Sequence, residues 1–258
     1  AAAAAQSLAS IASTSTVQAE VIVVANGTSD EGLAPLADRE DHVLLRLAVN
    51  TGYASGCNLG ARVAAGSMLV LLNDDTVAEP GWLESLLDTA RSLPQLGAAG
   101  SLILNPDGTV QDAGGVLWRD GSTMRVGFGR HEVPAVAASL HDVDYVSGCS
   151  MLLPRAVWEA YGGFDPAFLP AYYEDADLCL RLRAGGLRVV CQPASRVRHH
   201  AGSSTGSRWR DFIIEQNRQL LRRRWHDELQ GHEPRVEFDA ATIDDSVARA
   251  LQRAAVSA

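Results

Sequence analysis

Residues 68–87 read MLVLLNDDTVAEPGWLESLL, and this stretch decides the class of fold. Its first five residues, Met68–Leu72, are apolar and predict a buried strand that stops at the polar residues 73–75. Pro80 then opens a helix, one face of which carries the apolar residues Trp82, Leu83, Leu86 and Leu87. A buried strand followed by an amphipathic helix is the unit of an α/β fold, in which ligands bind where the strands end.

The neighbouring segments repeat this alternation. Val21–Val24 predicts a buried strand before the turn-forming residues Asn26–Asp30, and Leu96–Leu104 predicts another strand. Strands that alternate with helices imply a parallel sheet, which we expect in the first half of the chain. The second half is predicted to contain strands at Tyr145–Leu153 and Arg188–Cys191 and helices at Pro154–Tyr161, Glu174–Ala184, Trp209–Trp225 and Val247–Ala255.

The composition excludes several classes of protein. The 258 residues carry 22 basic and 31 acidic side chains, and the net charge of −9 argues against a dedicated nucleic-acid binder. All the basic residues are arginine, so Schiff-base chemistry and the lysine of a phosphate-binding P-loop are excluded. The four cysteines form no C-x-x-C pair, which suits a reducing compartment better than a zinc site or a disulfide framework.

The adjacent carboxylates of Asp74 and Asp75 are the strongest chemical feature of the sequence. Neighbouring carboxylates at the end of an apolar strand repel each other unless a cation neutralises them. Because Mg²⁺ and Mn²⁺ bind one or two carboxylates together with phosphate oxygens, the motif indicates a metal–phosphate site. An acidic turn that caps the following helix is the simpler alternative.

A second acidic cluster, YYEDAD at residues 172–177, lies at the predicted start of a helix. A helix N-terminus stabilises carboxylates, so capping explains part of the cluster. Three acids within four positions exceed what a cap needs. Asp175 lies three residues before Leu178 and therefore on the buried face, where a carboxylate is a candidate general base.

Three further stretches carry weaker signals. The glycines of Asn50–Gly60 permit a close approach of the backbone to a ligand. His199 and His200 stand beside small residues and suit a metal or a phosphate, although a solvated loop explains them as well. The run Arg222–Trp225 suits anionic lipid or a phosphate-bearing acceptor, although such runs are more often a solvated helix face.

Taken in order, these segments resemble the family 2 glycosyltransferases of GT-A fold, particularly the bacterial rhamnosyltransferase-like and galactofuranosyltransferase-like branch. The resemblance covers residues 6–225 and rests on eight segments: Val21–Asp30, Asn50–Gly60, Leu71–Leu83, Asn105–Gly115, Val146–Leu153, Gly162–Phe168, Tyr173–Arg183 and His199–Ser204. It implies a mixed, mostly parallel sheet flanked by helices, with a catalytic domain at residues 1–206 and a C-terminal helical extension at residues 207–258.

The resemblance also implies roles for individual residues. Asp175 matches the catalytic base and Glu174 its acidic neighbour. The implied ligands of Mg²⁺ or Mn²⁺ are Asp75 and His199, with His200 as the fallback. The residues implied to contact the nucleotide sugar are Asn26, Asp30, Asn50, Gly52, Asn58, Asn73 and Asp74. Those implied to border the acceptor are Gly163, Phe164 and Asp165.

The implied reaction moves a sugar from a nucleotide-diphosphate sugar to a hydroxyl of a glycan or polyprenyl-linked acceptor, as in polysaccharide or cell-wall biosynthesis. The cation neutralises the leaving diphosphate while Asp175 deprotonates the acceptor, in a single displacement whose inversion follows only from the resemblance. We expect no nucleic-acid partner, and a cytoplasmic protein that contacts the inner face of the membrane peripherally. The oligomeric state is not implied.

Two departures from the family pattern leave alternatives open. Ala25 stands where the family commonly has Asp, which removes a polar contact near the nucleotide. The family's first strand should precede residue 6, where only alanine stands, and a protein without that strand is expected to bind nucleotide poorly. These departures suit a non-catalytic glycan-binding domain. A sugar nucleotidyltransferase is the other alternative, although its usual Gly-rich loop with lysine is absent.

Overall fold

The computed structural model describes residues 2–37, 39–200, 207–235 and 240–256. The helices are α1 Ala2–Thr14, α2 Asp30–Ala37, α3 Tyr53–Val63, α4 Trp82–Ser92, α5 Arg155–Ala160, α6 Glu174–Ala184, α7 Ser207–Arg224, α8 His226–Gln230 and α9 Ala240–Val256. The strands are β1 Ile22–Asn26, β2 Val43–Leu47, β3 Met68–Leu72, β4 Thr76–Ala78, β5 Leu96–Leu104, β6 Val110–Asp112, β7 Gly115–Leu117, β8 Thr123–Arg125, β9 His141–Asp142, β10 Ser150–Pro154 and β11 Arg188–His199.

The main sheet is mixed, as predicted. Its strands lie in the order β3-β10-β5-β11-β4, with β6 beside β5 and β9 beside β11. β5 and β11 pair in parallel, whereas β10 is antiparallel to both β3 and β5, so β3, β5 and β11 all point the same way. The parallel direction expected from the first half therefore holds for β3 and β5, whereas β10 inserts between them antiparallel, and β4 and β6 are antiparallel to their neighbours. β1 and β2 form a separate parallel pair.

Several predicted elements have different bounds in the structure. The strand expected at Tyr145–Leu153 begins only at Ser150. Tyr145 forms an isolated bridge with Gly115, and residues 146–149 lie outside the sheet. The strand expected at Arg188–Cys191 continues to His199, since it resumes its pairing with β5 after an irregularity. No strand or helix was predicted between residues 105 and 140, but β6, β7 and β8 lie there.

Helices cover both faces of the main sheet. On one face, α4 packs its buried residues Trp82, Leu83 and Leu86 against β5, β10 and β11. On the other face, α6 buries Leu178 and Leu182 in a larger core. Each fully buried leucine contributes about 1.5–3 kcal/mol, so both layers stabilise the sheet substantially. Leu221, Leu229 and Leu251 join this larger core, so α7, α8 and α9 pack on the same domain as α6.

Candidate functional site

One end of the site is a carboxylate–imidazole pair. His199 lies opposite Thr76 in the antiparallel pair of β11 and β4, which brings its ring to the turn that joins β3 to β4. Its Nε2 lies 3.0 Å from Oδ1 of Asp75. This hydrogen bond is the main cause that lowers the pKa of Asp75. Asp74 is exposed, and the amide of His200 donates to the main-chain oxygen of Asp75 at 3.0 Å.

The pair fits a divalent cation. Two ligands about 2.1 Å from one octahedral cation, at right angles to each other, are about 3.0 Å apart. The Nε2–Oδ1 separation has this value. Asn73 adds a buried Oδ1 that has no hydrogen-bond partner within the described residues, and its Nδ2 lies 3.3 Å from the same Nε2. In the part of the chain that the structure describes, no cluster of three or more His, Cys, Asp and Glu forms a closed metal site. The protein thus offers two ligands and leaves other positions open, which suits a cation that also binds phosphate.

The other end of the site is the acidic start of α6. Asp175 accepts hydrogen bonds from the amides of Gly148 at 3.2 Å and Ala176 at 2.8 Å. Burial nevertheless raises the pKa of Asp175, which makes its carboxylate a better proton acceptor. Glu174 is only 4% exposed, and burial followed by the charge of Asp175 raises its pKa well above the usual range. Burial thus raises the pKa of both neighbouring carboxyls, and the charge of Asp175 raises that of Glu174 further.

Residues 148 and 149 connect the two ends. The amide of Gly148 donates to Asp175, and the carbonyl of the next residue, Cys149, accepts from the amide of Asn73 at 3.0 Å. The hydroxyl of Tyr53 donates to the carbonyl of Gly148 at 2.7 Å, which ties α3 to the same point. Asp175 and the Asn73–Asp75 turn are therefore linked through two neighbouring main-chain residues.

The residues expected to contact the nucleotide mostly bind one another. Asn26 accepts a hydrogen bond from the amide of Thr51 at 2.8 Å and donates to the carbonyl of Gly52 at 2.9 Å. The side chain of Asn50 accepts from the amide of Gly52 at 2.9 Å. These hydrogen bonds of the Asn26 and Asn50 side chains hold the loop before α3. The polar groups of this loop that remain for a ligand are therefore largely main-chain groups. Asp30 points to solvent, with 92% of its side chain exposed, and pairs with Arg46.

The segment expected to border the acceptor is braced from inside. Asn58, expected beside the nucleotide, donates to the carbonyl of Phe164 at 2.7 Å and accepts from its amide at 3.0 Å. The ring of Phe164 is fully buried in the larger core, so it cannot contact an acceptor itself. The carbonyl of Gly163 accepts from Arg181 at 2.8 Å, and Asp165 pairs with Arg224 at 2.8 Å.

Two contributors on α7 were not recognised in the sequence. Asn217 is buried and its Nδ2 lies 2.9–3.0 Å from three main-chain oxygens of the loop before α6. Arg224 also binds the buried Asp177, together with Arg181 and the indole of Trp225. A polar residue four positions from both Ile213 and Leu221 on one buried face was the available signal for Asn217. The arginines of the run therefore differ in their contacts: Arg224 pairs with Asp165 and Asp177, whereas Arg222 and Arg223 are exposed.

A third contributor, Gln111, lies in β6. Its Oε1 is 2.6 Å from Nδ1 of His199, on the side of the ring opposite Asp75. The segment His199–Ser204 that contributed to the resemblance extends into residues 201–206, which lie outside the described residues.

Comparisons with known proteins agree with this architecture. The model of the family described as "Glycosyltransferase like family 2" matches residues 2–221. The O-antigen biosynthesis protein RfbC of Myxococcus xanthus is 36% identical over 195 residues, which cover 72% of this chain but only 15% of that protein. The N-acetylglucosaminyl-diphospho-decaprenol L-rhamnosyltransferase of Mycobacterium tuberculosis is 32% identical over 209 residues, covering 72% of this chain and 68% of the relative.

Two solved structures share the fold. The crystal structure of GalNAc-T7 with UDP, GalNAc and Mn²⁺ matches with a TM-score of 0.67 and 17% identity over 86% of this chain and 45% of that one. The mannosyltransferase PcManGT from Pyrobaculum calidifontis, in complex with GDP-Man and Mn²⁺, matches with a TM-score of 0.62 and 16% identity over 100% of this chain and 70% of that one.

The fold is therefore the GT-A fold. The family match covers most of the chain, and the mycobacterial relative is aligned over more than two thirds of its length. The chain belongs to glycosyltransferase family 2, as the resemblance predicted.

Proposed function

We propose that the protein transfers a sugar from a nucleotide-diphosphate sugar to a hydroxyl group of a glycan or lipid-linked acceptor. The observation that carries this proposal is the short link, through the main chain of Gly148 and Cys149, between Asp175 and the turn that carries the Asp75–His199 pair. Asp75 and His199 would hold Mg²⁺ or Mn²⁺, which would supply the positive charge that a leaving diphosphate needs. The chain has no lysine to share this task, so arginine and main-chain amides are its other positive groups.

Asp175 acts as the general base in this proposal. The amides of Gly148 and Ala176 hold its carboxylate in place, and a remaining lone pair accepts the proton of the acceptor hydroxyl. The acceptor oxygen bonds to the anomeric carbon as the bond from that carbon to the diphosphate oxygen breaks, so the configuration inverts. Glu174 lies next to Asp175 at the start of α6, and burial raises its pKa.

The named relatives suggest the class of acceptor. One is named for O-antigen biosynthesis and another for rhamnosyl transfer to a decaprenol-linked sugar. We therefore propose a polyprenyl-linked acceptor in the biosynthesis of a cell-surface polysaccharide, reached from the cytoplasm. In this scheme residues 1–206 carry the catalysis and residues 207–258 brace the acceptor side of the cleft.

Helix α7 is the proposed contact with the membrane. Among the described residues, no helix is long and apolar enough to cross a bilayer. On α7, however, Trp209 and Phe212 are 56% and 57% exposed with their rings stacked, and Arg222 and Arg223 are also exposed. Aromatic rings suit the headgroup region, and each arginine near an anionic surface contributes about 1 kcal/mol.

Vesicle binding tests this contact. The double variant Arg222→Gln/Arg223→Gln loses about 2 kcal/mol of attraction to an anionic membrane surface. Its binding to vesicles of anionic phospholipid, measured by cosedimentation, is therefore expected to be weaker by a factor of about ten or more. The control is Arg91→Gln, which removes an exposed arginine from α4. Equal binding by all three proteins would exclude an electrostatic contact through α7.

A donor screen tests the activity. Incubation with a panel of nucleotide sugars and Mn²⁺ should release a nucleoside diphosphate. Release of pyrophosphate would indicate a nucleotidyltransferase instead, and absence of any product with any donor would indicate a non-catalytic domain.

Two variants separate the proposed roles. Asp175→Asn should lower turnover by about 10²–10⁴-fold with donor binding kept, because it removes only the base. Asp75→Ala should weaken Mn²⁺-dependent donor binding, measured as thermal stabilisation by donor plus Mn²⁺. Asp88→Asn, on the exposed side of α4, is the control for both. Normal turnover in Asp175→Asn would refute the assignment of the base.

A further inference from the structure

We propose that Gln111 is a positioning residue that keeps the proton of His199 on Nδ1, so that the lone pair of Nε2 faces the cation. The segment Asn105–Gly115 contributed to the family resemblance, yet none of its residues received a role there. The consequence for the cation rests on the proposed metal role of His199. The position of the proton on the ring follows from the hydrogen bonds alone.

A β-bulge aims Gln111 at the histidine. In the pairing of β6 with β5, Val110 lies opposite Leu104 and Asp112 opposite Ile103, so Gln111 is the extra residue of the bulge. β5 ends at Leu104, and beyond that end the buried side chain of Gln111 reaches His199 on β11. Bulges redirect side chains next to active sites in this way.

A directed chain of hydrogen bonds fixes the orientation of the Gln111 amide. It begins at Asp107, which accepts from the hydroxyl of Thr109 at 2.7 Å and from its amide at 2.9 Å. These two hydrogen bonds lower the pKa of Asp107, which therefore remains an ionised acceptor. Because the Thr109 hydroxyl donates to Asp107, its oxygen accepts from Nδ2 of Asn105 at 2.9 Å.

The chain then continues to the imidazole. With Nδ2 turned to Thr109, Asn105 presents Oδ1 to Nε2 of Gln111 at 2.9 Å. The same Nε2 lies 3.3 Å from the main-chain oxygen of His199, a second acceptor. Gln111 therefore turns Oε1 to Nδ1 of His199, at 2.6 Å. An amide oxygen only accepts, so Nδ1 carries the proton.

The far side of the ring faces both a donor and an acceptor. Nε2 lies 3.3 Å from Nδ2 of Asn73, a donor that suits a free lone pair. It also lies 3.0 Å from Oδ1 of Asp75, an acceptor that competes with Gln111 for the ring proton unless a cation lies between Asp75 and Nε2. A second hydrogen-bond partner that fixes the tautomer of a metal-binding histidine typically increases metal affinity about 10–100-fold.

Nitrogen NMR tests the tautomer directly. In protein with ¹⁵N-labelled histidine, the His199 signals are those that disappear in His199→Gln. The spectra are recorded at pH 8.5. The wild type should then show a protonated Nδ1 and an unprotonated Nε2. In Gln111→Met the proton should move largely to Nε2, where it can donate to Asp75.

Binding of Mn²⁺ alone provides the second measurement. Gln111→Met should bind Mn²⁺ about 10–100-fold more weakly, as followed by paramagnetic broadening of the His199 signals and by electron paramagnetic resonance. Gln95→Met makes the same change at an exposed site and should leave both measurements unaltered. Thr109 contacts neither His199 nor Asp75, yet the variant Thr109→Val should shift the tautomer of His199 in the same direction to a smaller extent. This variant replaces Gln111→Met if Gln111→Met does not fold.

The outcomes distinguish the two proposals. A wild-type His199 with its proton on Nε2, or a tautomer that neither variant alters, would overturn the role of Gln111. If His199→Gln bound Mn²⁺ as tightly as the wild type, the metal role in the proposed function would fail, while the NMR measurement would still decide which nitrogen of His199 carries the proton. A changed tautomer with unchanged Mn²⁺ affinity would refute the link from Gln111 to the cation.

Discussion

Asp112→Asn is expected to remove part of the pH dependence of folding. Asp112 ends β6 and is 4% exposed. Burial raises its pKa from 3.8 to about 7, against the smaller opposing effects of Arg125 and of the Gly114 amide. Asparagine keeps an oxygen that can accept the 2.8 Å hydrogen bond from Gly114 but does not titrate.

The sign and size of the effect follow from the two pKa values. Below pH 3.8 the carboxyl is protonated in both the folded and the unfolded chain, so pH has no effect. From there to about pH 7 only the unfolded chain has lost the proton, and the free energy of unfolding falls by about 1.4 kcal/mol per pH unit. Above pH 7 the loss levels off at about 4 kcal/mol, so the wild type should lose about 3 kcal/mol between pH 5 and pH 8 through this group.

Urea unfolding at pH 5 and at pH 8 measures this loss. The change in the free energy of unfolding between the two pH values should be about 3 kcal/mol smaller in Asp112→Asn than in the wild type. Asp88→Asn, at an exposed position on α4, should behave as the wild type does. If all three proteins showed the same pH dependence, the reasoning that burial keeps Asp112 protonated would be refuted.

Two further substitutions test contacts of the loop before α3 and of helix α6. Gly52→Ala should lower Tm more than Gly81→Ala does: both positions have a positive φ, which costs a side chain about 1–2 kcal/mol, but only at Gly52 would the new Cβ lie 2.6 Å from the carbonyl oxygen of Pro170. Equal shifts in Tm would contradict this contact. Asp177→Ala should destabilise the protein by about 3 kcal/mol in urea unfolding, the low end for breaking a buried ion pair, because its two arginine partners are partly exposed. A loss no larger than that of Asp88→Ala would contradict it.

Much of the fold was predictable because the information is local. The apolar run of β3 and the helix of residues 174–184 have the predicted bounds, since hydrophobic periodicity and flanking turn residues define such elements without tertiary contacts. The order of the motifs along the chain was enough to identify the family. The insertion of β10 between β3 and β5 was not predictable, because a pattern of apolar residues does not specify a strand's neighbours.

The candidate site shows the same division. The carboxylates of Asp75 and Asp175 stand out in the sequence because two acids at a strand end, or three at a helix start, exceed what a turn or a cap needs. Phe164 was assigned to the acceptor side but is a buried support, and Asn58 binds that segment instead of a nucleotide. Side-chain roles of this kind depend on which amide meets which carbonyl across a loop.

By itself, the sequence determined the family, the main strands and helices and the identity of the acidic residues, since each of these is encoded in a short run of neighbouring residues. Only the tertiary structure decided which protein groups orient them. Gln111 and His199 are 88 positions apart. They meet because the bulge in β6 turns the side chain of Gln111 toward His199 beyond the end of β5. Contacts over such separations depend on the register and twist of a whole sheet, which no single segment encodes.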